Sequence, residues 1–176
     1  MPRQFLRTVG LLALALPLAV AAAEEGEGST PEQNQAYFGG SYLDFAEREA
    51  PDNQYSPSGL LLRIGQRFSE NVAVDFQAGA SQTVSDFQVS RFTGLFLQLG
   101  GQWERIHFYT QIGPARTELK MNDTTEVNDG IAYGFGARVS PSETFDIVVE
   151  WMDYTVGAED RLDAIGIGFI RPFGED

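Results

Sequence analysis

Large apolar side chains take every second position through most of residues 130–154. They alternate with small or charged residues on both sides of a polar turn at 140–144. A period of two is that of a β-strand, whose successive side chains point to opposite faces. The stretch therefore predicts a hairpin with one large apolar face and one smaller face that carries isolated charges. The apolar face contains Ile131, Tyr133, Phe135, Ala137, Val139, Phe145, Ile147, Val149 and Trp151.

The same alternation recurs from residue 37 to residue 173, with polar segments between the apolar ones. None of these segments has a helical period, and the glycines lie within strands, not in a phosphate-binding loop. The predicted strands are about nine to fourteen residues long, more than the five or six usual in soluble sheets and enough to cross a bilayer at a tilt. The eight predicted strands cover 37–45, 59–68, 72–81, 88–101, 106–119, 130–139, 145–154 and 162–173.

The connections between the predicted strands alternate in length. The second, fourth and sixth are tight turns near 69–71, 103–105 and 140–144, whereas the others are mostly longer and include a polar loop at 121–129. Short turns on one rim and longer loops on the other are typical of a transmembrane β-barrel. The acidic residues of the longer links are Glu47, Glu49, Asp52, Asp86, Asp123, Glu126, Asp129, Glu159 and Asp160.

Alternation alone does not say which face points outward, because a soluble lipocalin-like barrel has the same period with its apolar face inside. The smaller face here is rich in Gly and Ala and poor in charge, unlike a surface in water. Arg91, Arg116 and Arg171 fall on the apolar face but near strand ends, where they can snorkel. The predicted fold class is therefore all-β, an eight-stranded antiparallel up-and-down transmembrane β-barrel with its apolar face in hydrocarbon.

A closed barrel of eight strands has a narrow interior that side chains fill. Closure requires the first strand to pair with the eighth, and Pro172, which lacks an amide donor, is then expected at the periplasmic end. We expect Gly134, Gly136, Gly166 and Gly168 to make room in the interior for Tyr42, Phe92, Phe96, Tyr109 and Met152. The predicted interfacial aromatic girdle consists of Tyr37, Trp103, Trp151, Tyr154 and Phe173.

The first residues predict export. Arg3 and Arg7 precede a short apolar run, and Ala21 to Ala23 supply the small residues of a cleavage site. We therefore interpret 1–23 as a signal peptide cut after about Ala23, 24–35 as a disordered acidic lead-in, and 36–176 as the barrel domain.

Removing the signal peptide with its two arginines would lower the formal net charge from −13 by two, to −15. That charge argues against binding nucleic acid or anionic lipid through a basic patch. The chain has no cysteine, so it can carry neither a disulfide nor a lipoprotein anchor.

Four segments carry a resemblance to a known family. They are Tyr37-Phe38-Gly39-Gly40, 108–113, 132–137 and the run from 165 to Phe173. With them the chain resembles the outer-membrane β-barrel domain family, in particular the small eight-stranded group of the outer membrane protein A membrane domain and the OmpX-like proteins. The resemblance implies a monomer in the outer membrane that contacts lipid and lipopolysaccharide. It also implies folding by the barrel-assembly machinery with periplasmic chaperones.

Six charged residues fall on the inward face of their predicted strands. An unpaired charge in a narrow interior is costly, so these residues are expected to pair. The family resemblance implies a salt-bridge network that plugs the lumen, and the alternative is a narrow ion-conducting pore. The predicted network consists of Arg63, Arg67, Asp75, Arg138, Asp146 and Glu150.

Two further functions compete with a structural or surface-interaction role. A lipid A-modifying enzyme needs a nucleophile, a base and an orienting acid close together, and the single histidine, His107, is expected on the periplasmic rim without such partners. Divalent cations that bridge to lipopolysaccharide would need a site on the acidic loops, but these acids lack the spacing of a calcium loop. We therefore predict no catalytic residue, no metal site and no cofactor.

Overall fold

A computed structural model describes residues 35–47, 57–83, 87–121, 124–142, 144–156 and 162–173. These residues form eight antiparallel strands in one closed barrel, with the strands in sequence order. The predicted fold class is confirmed. Within these ranges no helix is long and apolar enough to span a membrane. The strands are β1 (Gln35–Glu47), β2 (Ser58–Ser69), β3 (Val72–Ser81), β4 (Phe87–Trp103), β5 (Ile106–Met121), β6 (Thr124–Ser142), β7 (Phe145–Val156) and β8 (Leu162–Pro172).

Over the middle of the strands the outer face is formed by apolar side chains, and the charged side chains found there point into the barrel. Leu62 is 70% exposed and Ile165 is 62% exposed, whereas Asp75 is fully buried. A soluble barrel would show the opposite arrangement, because exposed apolar area in water is costly. The outward apolar face predicted from the alternation is therefore confirmed, and it forms the band that a barrel presents to hydrocarbon.

The barrel closes between β1 and β8, as predicted. Tyr37 lies opposite Pro172 in the register, and the Phe173 amide donates a hydrogen bond of 2.8 Å to the Ala36 carbonyl. The start of β1 also pairs with the end of β2, since Gln35 lies opposite Arg67. Both described chain ends thus lie on the rim that carries the tight turns, which we name the turn rim. The opposite rim is the loop rim.

The face assigned to Tyr42 was wrong. Tyr42 was expected in the interior, but it is 53% exposed on the outer face. Residues directly opposite each other in an antiparallel pair share a face, and Tyr42 lies opposite Leu60 and Ile167, which both point outward. The predicted girdle is corrected for the same reason at Tyr37 and Tyr154, which are buried inside the barrel. Trp103, Trp151 and Phe173 do lie on the outer face or rim.

The predicted loop at 121–129 is mostly strand. β5 continues to Met121 and β6 already begins at Thr124, and the two remain paired up to that point. Arg116 forms an ion pair of 3.6 Å with Asp129 across the hairpin, and Leu119 is buried on its inner side. The polar composition therefore marks where the hairpin leaves the hydrocarbon, not where the strand ends. Of the predicted loop acids, Glu49, Asp52, Asp86, Asp123, Glu159 and Asp160 lie outside the described residues, as do 1–34.

The apolar band of β4 has the height of a membrane. Outward residues run from Trp103 through Leu99, Leu97 and Leu95 to Thr93. At a rise of about 3.3 Å per residue and a tilt of about 40°, this stretch spans about 25 Å along the membrane normal. Leu97 lies at its middle and Thr93 at its edge.

Replacing Leu97 by Arg should therefore lower the free energy of unfolding in lipid vesicles by about 2–4 kcal/mol, because the charge would lie at the bilayer midplane. The control Thr93→Arg should cost about 0–1 kcal/mol, because this position is near the interface. Urea titration followed by tryptophan fluorescence measures both. Equal costs at the two positions would contradict the placement of the band.

Candidate functional site in the barrel interior

The interior of the barrel is divided into two layers. The layer toward the turn rim is polar and charged, with a small apolar cluster of Tyr37, Ala73, Tyr109, Val148 and Ile170 among the polar groups. The layer toward the loop rim is apolar. It contains Leu43, Phe45, Leu61, Val89, Phe92, Phe96, Ala115, Leu119, Ala132, Met152, Tyr154, Leu162 and Ala164.

The structure brings the six predicted charged residues together in two groups. Arg63 lies between two carboxylates, with Nη1 at 3.4 Å from Asp75 Oδ2 and Nη2 bonded to Glu150 Oε1. The second group reverses this arrangement, because one carboxylate lies between two guanidinium groups. Asp146 Oδ2 is 3.4 Å from Arg67 and 4.0 Å from Arg138. The first group carries one excess negative charge and the second one excess positive charge, so together they are neutral.

Two tyrosines connect the groups. The Arg67 guanidinium lies 5.9 Å from the centre of the Tyr37 ring, and Arg138 lies 5.6 Å from that of Tyr109, both within range of a cation–π contact. The Tyr109 hydroxyl donates to Glu150 Oε2 at 3.2 Å. Tyr37 and Asp75 both lie against Gly65, and we name the eight side chains that follow one another around the lumen the interior ring. It consists of Arg67, Tyr37, Asp75, Arg63, Glu150, Tyr109, Arg138 and Asp146.

Two glycines leave space for the tyrosines. A Cβ on Gly65 would lie 2.5 Å from the Tyr37 hydroxyl and 2.6 Å from Asp75 Oδ1, so the phenol and the carboxylate converge over this glycine. A Cβ on Gly136 would lie 2.6 Å from the Tyr109 hydroxyl. Any side chain at either position would displace a ring from the acid beside it. Gly136 thus has the predicted role of making room in the lumen.

Three glutamines support the buried acids. Gln77 and Gln98 donate to Asp75 Oδ2 at 3.1 and 3.0 Å, and Gln111 donates to Glu150 Oε2 at 3.2 Å. Hydrogen bonds from neutral donors offset the loss of water around each carboxylate. These glutamines, and Tyr37, were missed as members of the network. The sequence could have indicated them, because each falls at an alternate position of its strand that points into the barrel.

The apolar layer is centred on three rings. Phe92 and Tyr154 lie 4.8 Å apart between ring centroids, and Phe45 lies 6.2 Å from each of them. Phe92, Phe96 and Met152 were expected in the interior and are fully buried there. Phe45 and Leu43 were not expected, because they had been assigned to the opposite face of β1 from Tyr42.

His107 lies at the turn rim, as predicted. It is opposite Gln102 on β4 and Arg138 on β6, and its ring stacks on Tyr109 at 6.4 Å between centroids. These neighbours are an amide, a guanidinium and a phenol engaged with Glu150. Within the described ranges, no group of three or more His, Cys, Asp or Glu side chains is arranged to hold a metal ion.

The fold, the apolar exterior and the charged interior agree with a comparison against protein families. The model of the outer membrane protein beta-barrel domain matches residues 10–173. The chain belongs to this family. The family placement confirms the resemblance seen in the sequence and identifies the protein as an outer-membrane β-barrel. No curated protein sequence matches the chain.

Several solved structures share the fold of this outer-membrane barrel. Neisserial surface protein A is 10% identical, with a TM-score of 0.63 and coverage of 78% of this chain and 97% of the other. The attachment invasion locus protein Ail of Yersinia pestis is 14% identical, with a TM-score of 0.60 and coverage of 80% and 99%. The N-terminal barrel of Pseudomonas aeruginosa OprF is 15% identical, with a TM-score of 0.54 and coverage of 78% and 99%.

Replacing Arg63 by Met should lower the free energy of unfolding by about 3–5 kcal/mol, because it leaves two buried carboxylates without their shared cation. The control Asp129→Asn removes a partner of Arg116 in an exposed pair and should cost less than about 1 kcal/mol. Urea unfolding in vesicles measures both. A cost for Arg63→Met as small as that of the control would show that the interior charges are hydrated and independent.

Replacing Gly65 by Ala should cost about 1–3 kcal/mol, because the added methyl overlaps the Tyr37 hydroxyl and Asp75. Gly101 is a matched control on β4, since a Cβ there would meet nothing within 4 Å. Gly101→Ala should change the unfolding free energy by less than about 0.5 kcal/mol. Equal effects would contradict the close packing of Tyr37 over Gly65.

Proposed function

We propose that the mature protein is a monomeric outer-membrane barrel with a structural or surface-interaction role and a closed lumen. The observation that carries this proposal is the filling of the interior by two successive layers. An eight-stranded barrel has little free bore, and here the interior ring occupies one part of it and the apolar layer another. The side chains of Arg63 and Asp75 have no exposed area, which supports a lumen without a water path at that level.

The proposal extends to biogenesis. Residues 1–23 direct export through the Sec pathway and are removed after about Ala23, 24–35 form an acidic lead-in, and 36–176 form the barrel. Periplasmic chaperones and the barrel-assembly machinery then insert the chain. The outward apolar band supports this route, because a surface of this kind needs a carrier until it reaches lipid.

The proposed partners are the lipids of the outer membrane, including lipopolysaccharide. The support is the exposed apolar face on every side of the barrel, which fits acyl chains. The neighbour Ail has been described in complex with the heparin analogue sucrose octasulfate and in a phospholipid bilayer nanodisc. Those statements concern Ail, and at 14% identity they suggest only the kind of partner to test here.

We propose that the protein is not an enzyme. The arrangement around His107 supports this, because the residues opposite it are Gln102 and Arg138, and neither is a nucleophile or an orienting acid. A lipid A-modifying site would also need its groups on the outer face, whereas the clustered polar side chains described above point into the lumen.

Bilayer recording tests the closed lumen. The purified full-length mature protein, inserted in planar bilayers, is expected to give no steady current, because both interior layers block the bore. Insertion is verified in parallel by heat-modifiable migration on a gel and by protease protection. A steady, stepwise conductance from inserted wild-type protein would contradict the proposal and favour a narrow pore.

A further inference from the structure

The second group of interior charges lies next to the turn rim and is reached by solvent. Arg67 lies near the end of β2, Arg138 near the end of β6, and Asp146 at the start of β7. Their side chains keep 21%, 5% and 13% of their surface exposed, whereas those of Arg63 and Asp75 keep none. We name Arg67, Arg138 and Asp146 the turn-rim triad. It is therefore the part of the interior ring that a solute arriving from the turn rim meets first.

Arg138 lacks the hydrogen bonds that a buried guanidinium requires. Its Nη1 atom is buried and has no hydrogen-bond partner, and its Nε atom lies 4.0 Å from Asp146 Oδ2, too far for a hydrogen bond. The Tyr109 ring lies 5.6 Å from the guanidinium carbon and contacts its face, but it accepts no hydrogen bond from the N–H groups. A buried donor without an acceptor is costly. This side chain therefore has unused donors directed into the barrel.

The triad contains one positive charge more than it can neutralise. Asp146 is its single carboxylate and lies between the two guanidinium groups. Its oxygens already accept hydrogen bonds, Oδ1 from Ser140 at 2.6 Å and Oδ2 from Arg67 at 3.4 Å. Arg67 is also the charged neighbour that acts most strongly on Arg138, and two like charges repel each other in a partly buried site. Arg138 therefore has a repelling cation beside it and a carboxylate that is already engaged.

The other described acids do not supply the missing charge. In the first interior group, Asp75 and Glu150 are both held by Arg63, and each also accepts a hydrogen bond from a glutamine side chain. In the tight turns, the described acids are Glu70 and Glu104, which are exposed and form no ion pair with the triad. An excess of one positive charge and an unsatisfied buried donor therefore coincide within the triad.

We propose that a small monovalent anion, of the size of chloride, binds at the turn-rim triad and is held by N–H groups of Arg67 and Arg138. Guanidinium groups donate charge-assisted hydrogen bonds to anions, and a single negative charge balances the excess charge of the triad. Asp146 Oδ2 lies within 4.0 Å of both arginines, so it repels a doubly charged anion more strongly than a singly charged one. The triad thus favours a monovalent ligand.

The anion reaches the triad from the turn rim only. At the next level of the lumen, Arg63 and Asp75 have no exposed side-chain area, and the apolar layer lies beyond them. An anion bound here therefore adds a ligand to the proposed closed lumen without opening it, because the ion enters and leaves on the same side. Binding and the absence of a steady current are both expected of the same molecule, and each is measured independently of the other.

Chloride-dependent stability tests the site. The full-length mature protein in phosphatidylcholine vesicles is unfolded with urea in mixtures of sodium chloride and sodium gluconate at constant sodium concentration. Gluconate serves as the replacement because it is much larger than chloride. The variants Arg138→Gln and Arg67→Gln each remove one of the two cations of the triad. Arg105→Gln is the matched control, since it removes one exposed cation at the turn rim.

Because the anion binds the folded state, a tenfold increase of chloride above its dissociation constant should raise the folding equilibrium constant about tenfold in the wild type and in Arg105→Gln. Arg138→Gln and Arg67→Gln should lose this dependence on chloride. If Arg138→Gln does not insert into the vesicles, Arg67→Gln decides the question, because its side chain is the more exposed of the two.

An equal response to chloride in the wild type and in an inserted variant of the triad would overturn the anion site, because the effect would then be a general one of the salt. A wild type whose stability does not change with chloride would overturn it as well. A steady current from the wild type in planar bilayers would instead contradict the closed lumen and leave the anion site standing, so the two failures are distinguishable.

Discussion

Arg63 is the residue on which the interior of this barrel depends. It lies between Asp75 and Glu150, fully enclosed, and each of these acids also receives hydrogen bonds from glutamine side chains. A buried cation of this kind is tolerated only with such partners, because a charge removed from water and left alone costs several kcal/mol. The positions of Tyr37 and Tyr109 follow from the same requirement, since each places a phenol beside one of the two acids. Gly65 and Gly136 follow in turn, because only glycine leaves space for those rings.

The fold could be predicted from the sequence because the alternation of apolar and small residues is a local property. On β2, β3, β7 and β8 one parity is clearly the larger and more apolar, and those faces were assigned correctly. On β1 both parities hold aromatic residues, Tyr37 and Phe45 on one and Phe38 and Tyr42 on the other. Only the pairing with Leu60 and Ile167 decides between them. That pairing joins distant parts of the chain and cannot be read from β1 alone.

The six interior charges were predicted for a similar reason, since ions on an inward parity must find each other in a narrow bore. Which ion meets which depends on the stagger of the strands, and so do the contacts of Gln77, Gln98 and Gln111. The apolar layer was underestimated because Leu43 and Phe45 resemble lipid-facing residues when taken singly. The segment at 121–129 was misread because its polarity was taken as a sign of a loop, although a strand in water needs no apolar outer face.

The uneven length of the strands separates two environments within one sheet. β3 has 10 residues, whereas β6 has 19, and the mostly polar stretch 124–130 at the start of β6 pairs with the end of β5. This extension has no core of its own beyond a few inward residues such as Leu119. Its hydrogen-bond register continues that of the lower half of the same hairpin, which lipid surrounds. The register of this extension is therefore set by the lower half of the hairpin, so a change in strand pairing within the lipid-covered part would shift every residue of the extension as well.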